Sequence, residues 1–374
     1  MFQYSWQILY YRIKNIGERM KLVLIPWTAK LFGRSIQDLP QFNFKEIELT
    51  LSRYISSIEM VIYDVNSSYS GEDWFFFWEI TDVTESVYLK LFDQGFISHT
   101  IVYIAEPDVV IEWHNFRGVN ELKKYFHYIV TWNKDFIDYK RVYPLQSFYK
   151  WEYMLHESNS VDEVSFSDKK LMTCIVGYKK SNVRGELYSE RLKVIKWFEE
   201  NHPEDFEFYG AGWPQKEYPL YRGCVDSKVK TYQMYRFALC IENISKENMI
   251  TEKPMDCFSS MIVPIYYGAP EMETYVPHEC YIDYRDFKNL EELYSFIKNM
   301  PEEQYNGYIK AIKKFTEIGE MAYFSPEENA KGLLGILQSK EKDCFEVTKY
   351  IITKAKIKRI LYITRQKFRK KIHG

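Results

Sequence analysis

Residues 235–270 read YRFALCIENISKENMITEKPMDCFSSMIVPIYYGAP, and no other stretch constrains the fold of this chain as tightly. An apolar run at 237–241 ends in Glu242-Asn243, and a polar loop follows. Thr251-Glu252-Lys253 then opens a helical pattern, and a second apolar run at 262–267 ends in Gly268-Ala269-Pro270. Strand, acidic loop, helix N-terminus with a lysine, strand, glycine turn: an α/β domain presents polar groups in this order at the carboxyl ends of its strands, where such folds bind ligands.

The same alternation runs through most of the chain. Short bulky runs rich in Val, Ile and aromatics predict strands at 20–26, 60–63, 74–80, 100–104 and 126–132, with a helix at 119–125. Residues 156–168 are dominated by Ser, Asn, Asp and Glu. A second series follows, with strands at 171–176, 206–209, 237–241 and 262–267 and helices at 189–200, 254–260 and 290–298. Strands alternating with helices predict mostly parallel sheets. A length of 374 residues is more than one core usually holds. The expectation is an α/β chain of two Rossmann-like units facing a cleft, at 1–160 and 161–340, followed by a basic tail at 341–374.

From 345 to 374, ten Lys/Arg stand against one Glu, and Ile357, Ile360, Leu361, Tyr362, Phe368 and Ile372 can share much of one helical face. Such a helix can lie on an anionic membrane, gaining roughly 1 kcal/mol per basic residue near the surface. It can equally stay solvated. Net charge is −2, so the whole molecule carries no polyanion-binding signature. Nucleic-acid binding by the tail would leave the central motif unexplained. The six cysteines are scattered without a C-x-x-C pair, which argues against a zinc site or a disulfide scaffold and for reduced thiols in the cytoplasm. Neither H-x-x-x-H nor a suitable D-x-D occurs, so no tightly bound metal is expected. The apolar runs at 6–11 and 22–27 fall far short of the ~20 residues of a membrane span, and no signal-peptide pattern precedes them. The expected location is cytoplasmic, with peripheral contact on the inner membrane face through the tail.

Taken together, these pieces resemble the donor-binding motif of the α-1,3/4-fucosyltransferases, glycosyltransferase family 10. Tyr235-Arg236-Phe237, Glu242-Asn243, Ile250-Thr251-Glu252-Lys253 and Val263-Pro264-Ile265 to Gly268 follow the family's order. The likeness continues through Tyr275-Val276-Pro277 and Tyr281-Ile282-Asp283 to Asp286-Phe287, and extends more weakly over 20–330. It implies a GT-B fold and inverting transfer of L-fucose from GDP-fucose to a hydroxyl of a GlcNAc- or LacNAc-type glycan or a surface-polysaccharide precursor. It implies no tightly bound cofactor, with a divalent metal as a stimulant at most. Animal members carry an N-terminal membrane anchor, so the chain is more similar to bacterial or viral ones.

Such a transfer needs cations for the departing diphosphate, groups around the sugar and a base for the acceptor hydroxyl. Lys253 sits at a helix start, where Pro254 is tolerated and backbone amides with partial positive charge could join it at the phosphates. The resemblance makes Arg184, in Ser181-Asn182-Val183-Arg184-Gly185-Glu186-Leu187-Tyr188, the second cation, with Arg191 as competitor because the register needs a gap. Tyr209-Gly210 matches a strand and turn of the family. Glu242 and Glu252 resemble its sugar-side carboxylates, Asn243 orients their loop, and Thr251 belongs to the same donor motif. Met249 stands where the family has an aromatic, which leaves another GDP-sugar open. The base corresponds to Glu106 in Ala105-Glu106-Pro107-Asp108, with Asp108 second; the family's neighbouring glycine and asparagine are not kept. Each residue also has a bland reading as helix cap, surface arginine, turn glycine or solvated glutamate. The non-enzymatic alternative is a glycan-binding or membrane scaffold on the same fold.

Overall fold

The computed structural model describes residues 20–353 except 40, 56, 81, 147–151, 161–163, 318–324, 339–344 and 346. The apolar run at 6–11 and the basic residues from 354 onward lie outside the described residues. Strands β1 (Met20–Ile25), β2 (Ile58–Ile62), β3 (Trp74–Trp78), β4 (Thr100–Ile104), β5 (Tyr128–Thr131) and β6 (Val142–Pro144) form one parallel sheet. Their order is β2-β1-β3-β4-β5-β6. Successive side chains point to opposite faces. Leu22, Leu24, Phe76 and Ile101 pack under α1 (Phe44–Ser52), whereas Val23, Ile25, Phe75, Phe77 and Val102 pack under α2 (Asp82–Asp93) and α3 (Phe116–Leu122). Because both faces are covered, Phe75, Phe76 and Phe77 are all buried and the run reads as continuous apolar sequence.

After α4 (Glu152–Ser158) a second parallel sheet follows, built from β7 (Lys170–Ile175), β8 (Phe206–Tyr209), β9 (Tyr235–Ile241), β10 (Val263–Tyr267) and β11 (Ile282–Asp283). Its order is β11-β10-β9-β7-β8. Helices α5 (Tyr188–Asn201), α6 (Lys228–Gln233), α7 (Glu252–Ser259), α8 (Leu290–Lys298) and α9 (Glu302–Glu317) accompany it. Chain order reverses at β7, which has β8 on one side and β9 on the other, and open α/β sheets bind ligands at such a switch point.

The chain then returns to the first sheet. Ala330, Leu333, Leu334 and Ile336 of α10 (Pro326–Leu337) pack with α1, and Val347 and Ile352 join the opposite face. The last part of the 161–340 span and the start of the expected tail thus pack with the first sheet, because their apolar side chains find its faces rather than solvent. Cys174, Cys240 and Cys257 are buried free thiols, Cys280 is buried, and Cys224 is exposed. Among the described residues no helix is long and apolar enough to cross a membrane.

Candidate active site

Lys253 owes its position to a carboxylate and a helix cap. Thr251 caps α7, its hydroxyl oxygen accepting from the Lys253 amide at 3.2 Å. Glu242, at the carboxyl end of β9, is fully buried. It accepts from the Thr251 amide at 2.9 Å, from the Thr251 hydroxyl at 2.8 Å and from Lys253 Nζ at 3.0 Å. Gly268 makes this packing possible, because a Cβ there would lie 2.5 Å from Glu242 Cγ. Burial works to lower the Lys253 pKa, but Glu242 and Glu252 outweigh it and hold the ammonium above the ordinary lysine value. An ammonium has three hydrogens. Glu242 and the Thr251 hydroxyl, 3.2 Å away, engage two, leaving one on the side of the cleft, where Glu252 Oε1 lies 3.7 Å from Nζ.

That cleft measures about 290 Å³ and opens at the carboxyl ends of β7, β8 and β9. Lys253, Glu252, Asn243, Arg191 and Gly210 line it on the second sheet's side. Arg191 is buried on α5, with Nη2 donating to the carbonyls of Ile241 at 2.6 Å and Glu242 at 3.2 Å. Burial opposes the charge of Glu252, yet Lys253 and Lys228 hold its carboxyl below the usual value. Gly210 adopts φ +133, and a Cβ there would sit 2.0 Å from the Val176 carbonyl, so the turn that floors the cleft requires glycine.

Glu106 enters from the other side, on the loop after β4, and lines the same cleft. Burial raises its pKa above the ordinary carboxylate value, and Lys179 and Lys253 offset this only in part. Two loops join the walls. Asn248 donates to the Trp132 carbonyl at 2.5 Å, and Lys246 pairs with Asp135 at 3.0 Å. Trp132, Val109, Tyr188, Ile244 and Met249 close an apolar cluster between them.

Several sequence-based expectations need correcting. Arg184 is exposed on the loop before α5 and does not line the cleft, whereas Arg191 faces it one helical turn into α5. Tyr209 points away, its hydroxyl 2.9 Å from that of Tyr235. Glu242 is turned inward and does not line the cleft, since both its oxygens are committed to Thr251 and Lys253. Thr251 acts through the same clamp. The amides of Thr251 and Lys253 are likewise occupied and Pro254 has none, so these three positions offer the cleft no free backbone N–H. Met249 is buried in the apolar cluster and does not shape the cleft. Asp108 is not among the lining residues.

Sequence reading missed Lys179, Lys228, Tyr232 and Asp256, which also line the cleft. Asp256 lies one turn beyond Glu252, a spacing that puts both on one helical face. It pairs with Lys228 at 2.6 Å, and burial pushes its carboxyl up to about 6 against that pull. Among the described residues no group of three or more His, Cys, Asp or Glu is arranged to hold a metal ion.

Arg191→Lys keeps the charge but loses the planar fork, so on the expectation of a GDP-sugar drawn from the sequence resemblance, affinity for GDP should fall about tenfold by calorimetry. Arg184→Ala should leave it unchanged. Equal losses in the two variants would return Arg184 to the site.

Comparison with known proteins agrees with this geometry. Residues 166–330 match the model of "Glycosyltransferase family 10 (fucosyltransferase) C-term". The chain is 27% identical over 117 residues to the α-(1,3)-fucosyltransferase FucT of Helicobacter pylori, covering 31% of this chain and 24% of that protein. It is 36% identical over 69 residues to an α-(1,4)-fucosyltransferase of Arabidopsis thaliana, covering 18% and 17%. To the α-(1,3)-fucosyltransferase 7 of Mus musculus it is 23% identical over 201 residues, covering 52% and 43%. The matched stretches thus span less than half the length of each relative. Crystal structures of α1,3-fucosyltransferase with GDP-fucose and with GDP superpose with TM-scores of 0.53 and 0.55 at 14% and 13% identity. They cover 88% and 90% of this chain and 94% and 96% of those chains, and they establish the GT-B fold. The family resemblance read from residues 235–287 is borne out.

Proposed function

We propose that this chain, whose residues 166–330 carry a glycosyltransferase family 10 domain, is an inverting fucosyltransferase using GDP-fucose. One observation carries the reading: Glu106 from the first sheet and Lys253 from the second line one cleft, with Arg191 beside them. An acceptor hydroxyl gives its proton to the Glu106 carboxylate as its oxygen bonds to C1 of the fucose. The bond from C1 to the β-phosphate oxygen breaks on the opposite face, and GDP departs with the electron pair. Lys253 and Arg191 neutralise the growing charge on the diphosphate. Glu252 faces the cleft where positive charge develops on the sugar. The acceptor class is a GlcNAc- or LacNAc-type glycan or a surface-polysaccharide precursor.

Calorimetric titration with GDP and GDP-fucose, with UDP and GDP-mannose as controls, tests the donor. Incubation with N-acetyllactosamine and proton NMR of the product tests the transfer, with an α-fucoside expected from the β-linked donor. A β-fucoside would overturn inversion. No guanine-nucleotide binding would instead favour the scaffold reading. The buried place of Met249 removes the specific argument for another GDP-sugar. Peripheral contact of residues 345–374 with the cytoplasmic membrane face belongs to the same proposal. Salt-sensitive sedimentation with vesicles containing phosphatidylserine is expected, and sedimentation equal to that with neutral vesicles would end it.

A further inference from the structure

Side chains hold every backbone polar group of Ala105 and Glu106. Glu79 Oε1 accepts from the Ala105 amide at 2.8 Å and the Glu106 amide at 2.9 Å. The Trp132 indole Nε1–H donates to the Ala105 carbonyl at 2.8 Å. His114 Nδ1 lies 2.7 Å from the Glu106 carbonyl. A carbonyl only accepts, so Nδ1 carries the hydrogen. His114 Nε2 lies 3.1 Å from Glu79 Oε2, an ion pair when the imidazole is protonated. Glu79 and His114 are both buried, so neither spends these groups on solvent.

Glu79 itself is strained. It follows β3 with φ +65, a left-handed conformation that a residue with a Cβ adopts at an energetic cost. The same residue's carboxylate accepts the two hydrogen bonds from the neighbouring loop. Strain kept at one residue, with a committed buried carboxylate, marks a position the surrounding structure over-determines.

We propose that Glu79 and His114 are positioning residues that fix the Glu106 loop at its working place in the cleft, with Trp132 as the third support. The role rests on the reading of Glu106 as the base. Glu79 acts on the backbone of Glu106 and also contributes charge near its carboxylate. The groups around Glu106 are Lys179 and Lys253, which stabilise its charged form, and Glu252 and Glu79, which oppose it. His114 contacts the loop through the carbonyl.

The test compares wild type with Glu79→Ala, Glu79→Gln and His114→Ala. It uses hydrogen–deuterium exchange of the peptide containing residues 104–107, calorimetry with GDP, and kinetics with GDP-fucose and N-acetyllactosamine. In Glu79→Ala the amides of residues 105 and 106 should exchange at least about tenfold faster. Turnover should fall about a hundredfold while GDP affinity and KM for GDP-fucose stay within about twofold. His114→Ala should show a smaller change of the same kind. Glu79→Gln retains an oxygen that accepts both amides, so protection and much of the turnover should return. The acid limb of its pH–rate profile should move to lower pH because a negative neighbour of Glu106 is gone. Unchanged exchange in Glu79→Ala would overturn the proposal. So would losses of GDP binding and thermal stability that parallel turnover in both Glu79 variants. If the wild type transfers no fucose, the fucosyl reading fails, and exchange alone decides the cradle.

Discussion

Lys253→Ala should weaken GDP binding at least about a hundredfold, a loss of about 2.7 kcal/mol, and abolish detectable transfer. Lys253 pairs with the buried Glu242, so the substitution removes a cation that lines the cleft and also strands Glu242. With its amine gone, the carboxylate keeps only the Thr251 amide and hydroxyl. Breaking a buried pair by removing one partner costs about 3–5 kcal/mol, so the variant should melt at lower temperature as well. Lys253→Ala combined with Glu242→Gln separates the two effects. The double variant should recover stability, because the stranded charge is neutralised, but not GDP affinity. Recovery of GDP binding in the double variant would show that Lys253 serves the fold and not the ligand.

Glu106→Gln should leave GDP affinity within about twofold and reduce transfer about 10²–10⁴-fold, the range expected when a general base is removed. Glu106 lines the wall opposite the second sheet's donor groups, so its loss leaves Lys253, Arg191 and Asn243 in place. Wild-type activity should have an acid limb that follows this group. Burial raises the folded pKa of Glu106, and the charged form is the one that acts as base in the proposed transfer. Activity is therefore full above that raised value and falls as pH drops through it, at higher pH than for an exposed glutamate. The measurement is kcat/KM for N-acetyllactosamine across pH 4 to 9 at saturating GDP-fucose, about the range in which carboxylate and histidine groups titrate. Near wild-type turnover in Glu106→Gln would take the base role away from this residue, and Asp108 would be next to examine.

Local patterning made most of the fold legible. The expected strands at 100–104 and 206–209 and the helix at 290–298 coincide with β4, β8 and α8, because buried parallel strands carry continuous bulky runs and helices carry caps. Strand β6 escaped notice because three residues are too few for a pattern to register, and β11, only two residues long, was legible through the family resemblance at Tyr281-Ile282-Asp283 alone. Helix α10 was not anticipated either. Its place on the first sheet depends on contacts with α1 and β6, made after the chain has completed the whole second sheet.

The candidate site divides along the same line. The order of Glu242, Thr251 and Lys253 within twelve residues, together with the strand-end position of Glu106, was readable because strand ends, a cap and an acidic loop are local features. Sequence by itself determined which elements form and which chemical groups stand at their ends. Tertiary structure decided which of those groups meet. It brought Arg191 rather than Arg184 to the cleft through the helical phase of α5, and it turned Glu242 inward to clamp Lys253. It also joined Glu79 to the Ala105 and Glu106 amides, since β3 and β4 are neighbours in the sheet although 26 and 27 residues separate the partners. Hydrogen bonds act over about 3 Å in space, and only the folded sheet brings such distant residues that close.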